Sequence, residues 1–281
     1  MKMKGGKAGK RIFLAVRLAL ILALLAGILL LSKNPTVRTE TVKEAMRDGV
    51  LHEDNRISLF GLEVNPALIS AYVVTGAILL AAVLIRIFAI PRFKTIPGKM
   101  QTILEKPVEF FSDMARTNSP NKSGFVGAYI FSAGIYIFLS TLFELLGVQA
   151  VTTRGVSISL PAPIADINGA IAMGVTSYLV ILGAGLITGG LKGMLGVLKD
   201  FSLPISMSFR LFGALLSGLL VTDLVYYYTT LSFVLPVFVG VMFTLLHAVI
   251  QTYVLTTLVS IFYGEATEPR KKKMKKEKKV A

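Results

Sequence analysis

The sequence predicts an all-α polytopic membrane protein with about six hydrophobic helices and one amphipathic interfacial helix. Three observations carry that prediction. Hydrophobic residues make up 54% of the 281 positions and charged residues only 16%, and mean hydropathy is +0.70, outside the balance of soluble domains. The apolar residues are gathered into runs near the roughly 20 residues that a bilayer-crossing helix requires. The charges are gathered at the ends. Lys2, Lys4, Lys7, Lys10 and Arg11 supply five, and Glu268–Lys279 a net six, of the formal +14.

That distribution decides what the basic balance means. Basic flanks beside apolar spans are topology signals, and the nearly neutral body offers no surface for nucleic acid. With no cysteine in the chain, disulfides, thiolate metal sites and cysteine nucleophiles are excluded.

In chain order, Ile12–Leu31 is the first span, with Arg17 one turn in, where its long side chain reaches the interface. A basic start before an apolar core also fits a signal peptide, but no small-residue cleavage site follows "LLLSKNP", which favours a retained helix. Asn34–Leu59 is polar. Ala67–Ile90 is the second span, closed by "PRFKTIPGK". Gln101–Arg116 sets Ile103, Val108 and Phe111 among charges and is expected to lie in the interface. Phe125–Val148 and Ala170–Leu191 are the third and fourth spans, and Phe201–Tyr228 and Leu231–Tyr263 the last two.

With the amino terminus inside, the Lys- and Arg-rich segments 1–11, 91–106, 192–199 and 268–279 all fall on one face, which places both termini in the cytoplasm. The expected organisation is therefore a basic segment and helix at 1–32, an extracytoplasmic segment at 33–66, a membrane domain at 67–264 and a basic cytoplasmic tail at 265–281. In the fourth span, Gly185, Gly189 and Gly193 recur at a spacing that lets helices approach closely.

Ionisable groups within spans are costly, so each needs a reason. They are Glu144, Asp166, Arg210, Asp223 and His247, with Gln251 as a neutral companion. Counted from Phe201 at the cytoplasmic face, Arg210 is about 15 Å deep, near the midplane. Ser206, Gly213, Ala214, Ser217 and Gly218 share its helix face while leucines cover the rest. A small, polar face with one fixed cation suits a moving partner that carries a carboxylate. A buried Arg–Asp pair would need an acid level with Arg210, and Asp223 is about 20 Å further along. On the last helix Thr244, His247 and Gln251 share a face. His247 is either a proton relay or a packing residue. Asp223 is a channel group or a solvated one near the outer surface. Glu144 lines an aqueous entry or caps a helix end, and Asp166 with Asn168 is an amino-terminal cap or part of a channel. A self-contained secondary transporter with Arg210 binding an anionic substrate is the competing reading; it requires broken helices and a central pocket.

"SMSFRLFGALLSG" followed by "HAVIQTYVLTTLVSIFYGEATE", with "IPGK", "FLSTLFELLGV" and "PAPIADIN" ahead of them in order, resembles subunit a of the F-type rotary ATP synthase from about Gly61 to Glu268. The resemblance implies a non-catalytic stator subunit of a bacterial cell membrane, holding no cofactor and no metal. Its last two helices would be a long, tilted antiparallel hairpin against the rotating ring of c subunits, and its other partners the subunit b stalk and the rest of the complex. Arg210 matches the essential arginine and Gln251 the glutamine that faces it. Glu144 matches an acidic position, and Asp166 with Asn168 a polar pair. Two offset half-channels would meet the ring on either side of Arg210, coupling H⁺ or Na⁺ flow to ATP synthesis. The chain departs from the pattern at Ala214, Leu219 and Thr244, where polar or charged groups are usual. Asp223 and His247, each displaced by about one turn, would be their substitutes and would no longer sit level.

Overall fold

The computed structural model describes residues 57–268, except 60, 61, 152, 154, 156 and 228–234. The expected first span, most of the polar segment after it, the link between the last two helices and the basic tail lie outside the described residues.

A three-residue hairpin, β1 (Ile57–Leu59) paired antiparallel with β2 (Leu62–Val64), leads into helix α1 (Pro66–Leu84). Asn65 starts that helix. Its side-chain oxygen accepts from the Ala67 amide at 2.9 Å, and Pro66 supplies a preset φ in the first turn. A π-helical turn, Ile85–Ala89, and a 3₁₀ turn, Ile90–Arg92, finish it at Pro91, which has no N–H to extend the ladder. Between residues 75 and 84 nothing on α1 is buried. So large an apolar surface is compatible with lipid and not with water.

Helix α2 (Lys99–Asn118) buries only Phe111 and Ala115 and leaves Ile96, Ile103 and Phe110 exposed beside it or on its outer side. It packs on α3 (Ser123–Phe143) and on α6 (Leu235–Thr267). Gly134 of α3 makes room for the Phe111 ring, since a Cβ there would run into it. The end of α2 is tied to α6 by two short hydrogen bonds. Asn118 Nδ2 donates to Ser260 Oγ and Ser119 Oγ to the Ser260 carbonyl, both at 2.7 Å.

A 3₁₀ turn, Glu144–Leu146, follows α3, and then a second hairpin, β3 (Gln149–Val151) with β4 (Ser157–Ser159). The hairpins are the only departures from an all-α fold among the described residues. Ile57, Val74, Phe143 and Leu160 make a small second core at this end.

Ile167–Leu198, α4, is two helices joined at Gly190, whose φ of 58° and ψ of −152° only glycine adopts without strain. Beyond it the chain runs back along its own first half. A Cβ on Gly193 would strike the Gly185 carbonyl, one on Gly185 would lie 2.9 Å from Val197 Cγ2, and the Tyr178 hydroxyl donates to the Val197 carbonyl at 3.3 Å. The expected cytoplasmic segment 192–199 is therefore a helix folded onto the span. The Gly185–Gly193 approach is real, but it joins two arms of one hairpin.

Helix α5 (Ser202–Tyr227) then packs along α4 and α6. Four described helices are long and apolar enough to cross a membrane, Pro66–Arg92, Ser123–Leu146, Ile167–Leu198 and Val237–Thr267. The 26-residue α5 beside them is about 39 Å long if straight. The main core gathers Phe111 from α2, Val126 and Ile130 from α3, Ile181 from α4, Leu211 from α5 and Val259 from α6.

Candidate functional site

The faces of α5 separate by type of side chain. Met207, Leu211 and Leu215 are buried against the bundle with Ser208, whereas Ser206, Arg210, Gly213 and Ser217 are exposed. Those four stand at offsets −4, 0, +3 and +7, one stripe of a helix. Ala214 is half-buried at its edge and Gly218 is turned inward. Among the described residues no carboxylate pairs with Arg210.

Its height is set by neighbours rather than by Phe201. Because 191–198 runs back along α4, Phe201 is already beside the middle of that span, and a Cβ on Gly174 would meet Ser208 Oγ and the Pro204 carbonyl. Counting depth from Phe201 fails for that reason. Arg210, half a turn beyond Ser208, sits some two turns of α4 from Asp166.

On α6 the expected face turns toward the bundle. Thr244 and Gln251 are buried, together with Ala248 and Leu255, and His247 is half-buried. Among the described residues, Gln251 Oε1 is buried without a hydrogen-bond partner. A buried acceptor left unpaired is costly. His247 lies against α5 at Gly218, where a Cβ would come within 3.0 Å of Nδ1, and its ring is 5.9 Å from that of Phe243. Asp223 belongs to the last turns of α5, and its side chain is outside the described set. Five residues separate it from Gly218, about 7.5 Å of rise, so it and His247 are not level.

Asp166 does two things at once. Oδ1 accepts from the Asn168 amide at 2.9 Å and caps α4, while Oδ2 accepts from Asn65 Nδ2 at 2.7 Å. Asn65 is itself the cap of α1, so two helix starts 101 residues apart are bonded through their capping side chains. Both line a cavity of about 690 Å³ with Asn168, Tyr129 and Tyr136. Deeper in, Tyr129 and Ser177 share a hydrogen bond of 2.8 Å. Asn65 escapes a reading based on charges within spans, although Asn before Pro at the start of an apolar run is a helix-start signal.

A second cavity, about 650 Å³, lies toward the Gly190 end and is lined by Ile181, Thr188, Asp200, Glu265 and Glu268 among others. Along α4 the two cavities are offset, one beside 168–176 and the other from 181 on. Glu144 joins neither set. It is half-buried in the 3₁₀ turn after α3, and that turn packs on α6. Among the described residues no three of His, Cys, Asp and Glu gather to hold a metal ion.

The family model described as ATP synthase A chain matches residues 69–264, well over half of the chain. The chain belongs to this family. It is thus an ATP synthase subunit a, a membrane component of the Fo sector. The matched range takes in Arg210, Gln251, Asp166 and both cavities, and it leaves out Asn65, four residues before its start. In this subunit a, the positions of Ala214 and Thr244 flank the Arg210 stripe and the Gln251 face without adding charge.

Proposed function

We propose that this subunit a is the ion-translocating stator of its ATP synthase, with Arg210 separating two half-channels that serve a rotating ring of c subunits. The observation that carries the reading is the placement of Arg210. A permanently charged group stands on the exposed, small-residue stripe of an otherwise apolar helix, with no carboxylate of its own among the described residues.

The physics follows from the cost of charge in lipid. A ring carboxylate must be neutral to travel through the bilayer. Opposite Arg210 it ionises, because a nearby positive charge favours the charged form. It releases its ion to one half-channel before passing and reloads from the other afterwards. The fixed cation also repels an ion hopping directly between channels. The cavity at Asp166 and Asn168 is the candidate outer half-channel and the one at Asp200, Glu265 and Glu268 the inner. Gln251, whose buried Oε1 lacks a partner among the described residues, would accept a hydrogen bond from the protonated ring carboxyl as it arrives. Subunit b and the catalytic sector complete the partners, H⁺ or Na⁺ is the ion, and the location is a bacterial plasma membrane with both termini cytoplasmic.

Replacing Arg210 with alanine tests this. The complex is expected to assemble and to lose ATP-driven ion pumping into vesicles. Pumping at the normal rate in assembled Arg210→Ala complex would overturn the reading.

A further inference from the structure

We propose that the groove between α3 and α4, opening at Lys122, seats one acyl chain of an anionic phospholipid whose phosphate is held by Lys122. The groove encloses about 710 Å³ and runs along α4 from Thr176 to Ile187. Those twelve residues span about 16 Å, half of the roughly 30 Å hydrocarbon core, which is the reach of one leaflet's chain. Its floor is aromatic. Phe125 and Tyr263 lie with ring centroids 6.4 Å apart and at 31° to one another, an aromatic surface for a methylene chain. Gly124 and Gly183 open onto it, and a Cβ at either would meet empty space.

The charge sits where a headgroup would. Lys122 Nζ donates to Thr188 Oγ1 at 3.2 Å, a bond that holds the ammonium over the mouth of the groove and leaves two of its three donors for a phosphate. Among the described residues no carboxylate lines the groove. An anionic headgroup therefore fits this end better than a zwitterionic one, whose own cation would face the lysine. A packed helix of another subunit would fill the apolar part but would satisfy the lysine only by bringing a carboxylate to the mouth of the groove. This site stands apart from Arg210 and does not depend on how ions cross.

The test uses the whole ATP synthase in liposomes that carry a trace of phosphatidylglycerol or phosphatidylcholine with a diazirine in one acyl chain. After irradiation, adducts on the chain are mapped by mass spectrometry. Phosphatidylglycerol is expected to label the 176–187 segment about fivefold more than phosphatidylcholine, the preference that one lysine near the surface confers. Lys122→Gln should abolish the preference, and Gly183→Leu, which fills the groove, should abolish labelling by both lipids. Equal labelling by the two lipids overturns the proposal, as does a preference that survives Lys122→Gln. Absence of labelling in the unaltered complex overturns it too. Should Gly183→Leu fail to assemble, the surface exchange Lys122→Gln still decides the outcome.

Discussion

The Tyr178 hydroxyl donates to the backbone carbonyl of Val197 at 3.3 Å, although nineteen residues separate them in one element. In a straight helix they would be about 28 Å apart. The bond exists because the chain reverses at Gly190 and lays 191–198 against 178–185, with Gly185 and Gly193 at the closest approach. This fold-back decides where α5 starts, and with it the height of Arg210.

Gly190→Ala is therefore expected to weaken the subunit. The backbone conformation at Gly190 is nearly closed to side chains, and forcing one into it costs on the order of 1–3 kcal/mol. Gly189→Ala next to it is the control, because that residue has helical geometry and open space around its Cβ position. Heating the detergent-solubilised complex and following its size-exclusion peak should show a lower midpoint for Gly190→Ala only. Equal midpoints would mean that the reversal is not needed for the native state.

The junction of α2 with α6 depends on a second glycine. A Cβ at Gly264 would collide with the Asn118 carbonyl and come within 3.0 Å of Ser119 Oγ. Gly264→Val should push the helices apart and break both bonds to Ser260, a loss of about 1–3 kcal/mol. Faster proteolysis in the segment 118–122 measures it. A cleavage rate matching that of the unaltered chain would show that the two helices separate without cost.

Much of this architecture is legible in the sequence because hydrophobic length and helical spacing are local properties. The exposed stripe Ser206, Arg210, Gly213 and Ser217 follows from counting along α5, and the four described spans coincide with apolar runs. The hairpins are not legible, since three residues are too few for an alternating pattern to register. The reversal in α4 leaves a signal, the dipeptide Gly189–Gly190, which marks turns. A continuous apolar run hides it. The bond from Asn65 to Asp166 joins residues 101 positions apart and has no local signature. Sequence alone leaves Asp166 between cap and channel, and the structure gives its two oxygens separate partners.

For His247 we propose packing rather than a relay. Its ring fills the space that Gly218 leaves on α5 and lies beside Phe243. His247→Leu is expected to pump at close to the normal rate with an unchanged pH profile. An acid–base relay would instead lose about 100-fold or more. Gly218→Val, which displaces the ring, should lower thermal stability more than His247→Leu does. A collapse of pumping in His247→Leu that depends on pH would restore the relay.

Asp166 allows its two tasks to be separated. Asn is as good an amino-terminal cap as Asp, so Asp166→Asn should keep the bond from the Asn168 amide and the start of α4. It removes the charge from the cavity shared with Asn65 and Tyr129. Asp166→Ala removes cap and charge together, at a stability cost of about 1 kcal/mol. If the cavity conducts ions, both variants pump poorly while only the alanine variant melts early. Asp166→Asn complex that pumps normally would reduce Asp166 to a cap, and the outer half-channel would have to be sought elsewhere. Asn65→Ala completes the set. It leaves the Asp166 carboxyl group in place and still bonded to Asn168, so pumping should fall less than in Asp166→Asn, and only as far as losing the Asn65 bond lets that group turn from the cavity.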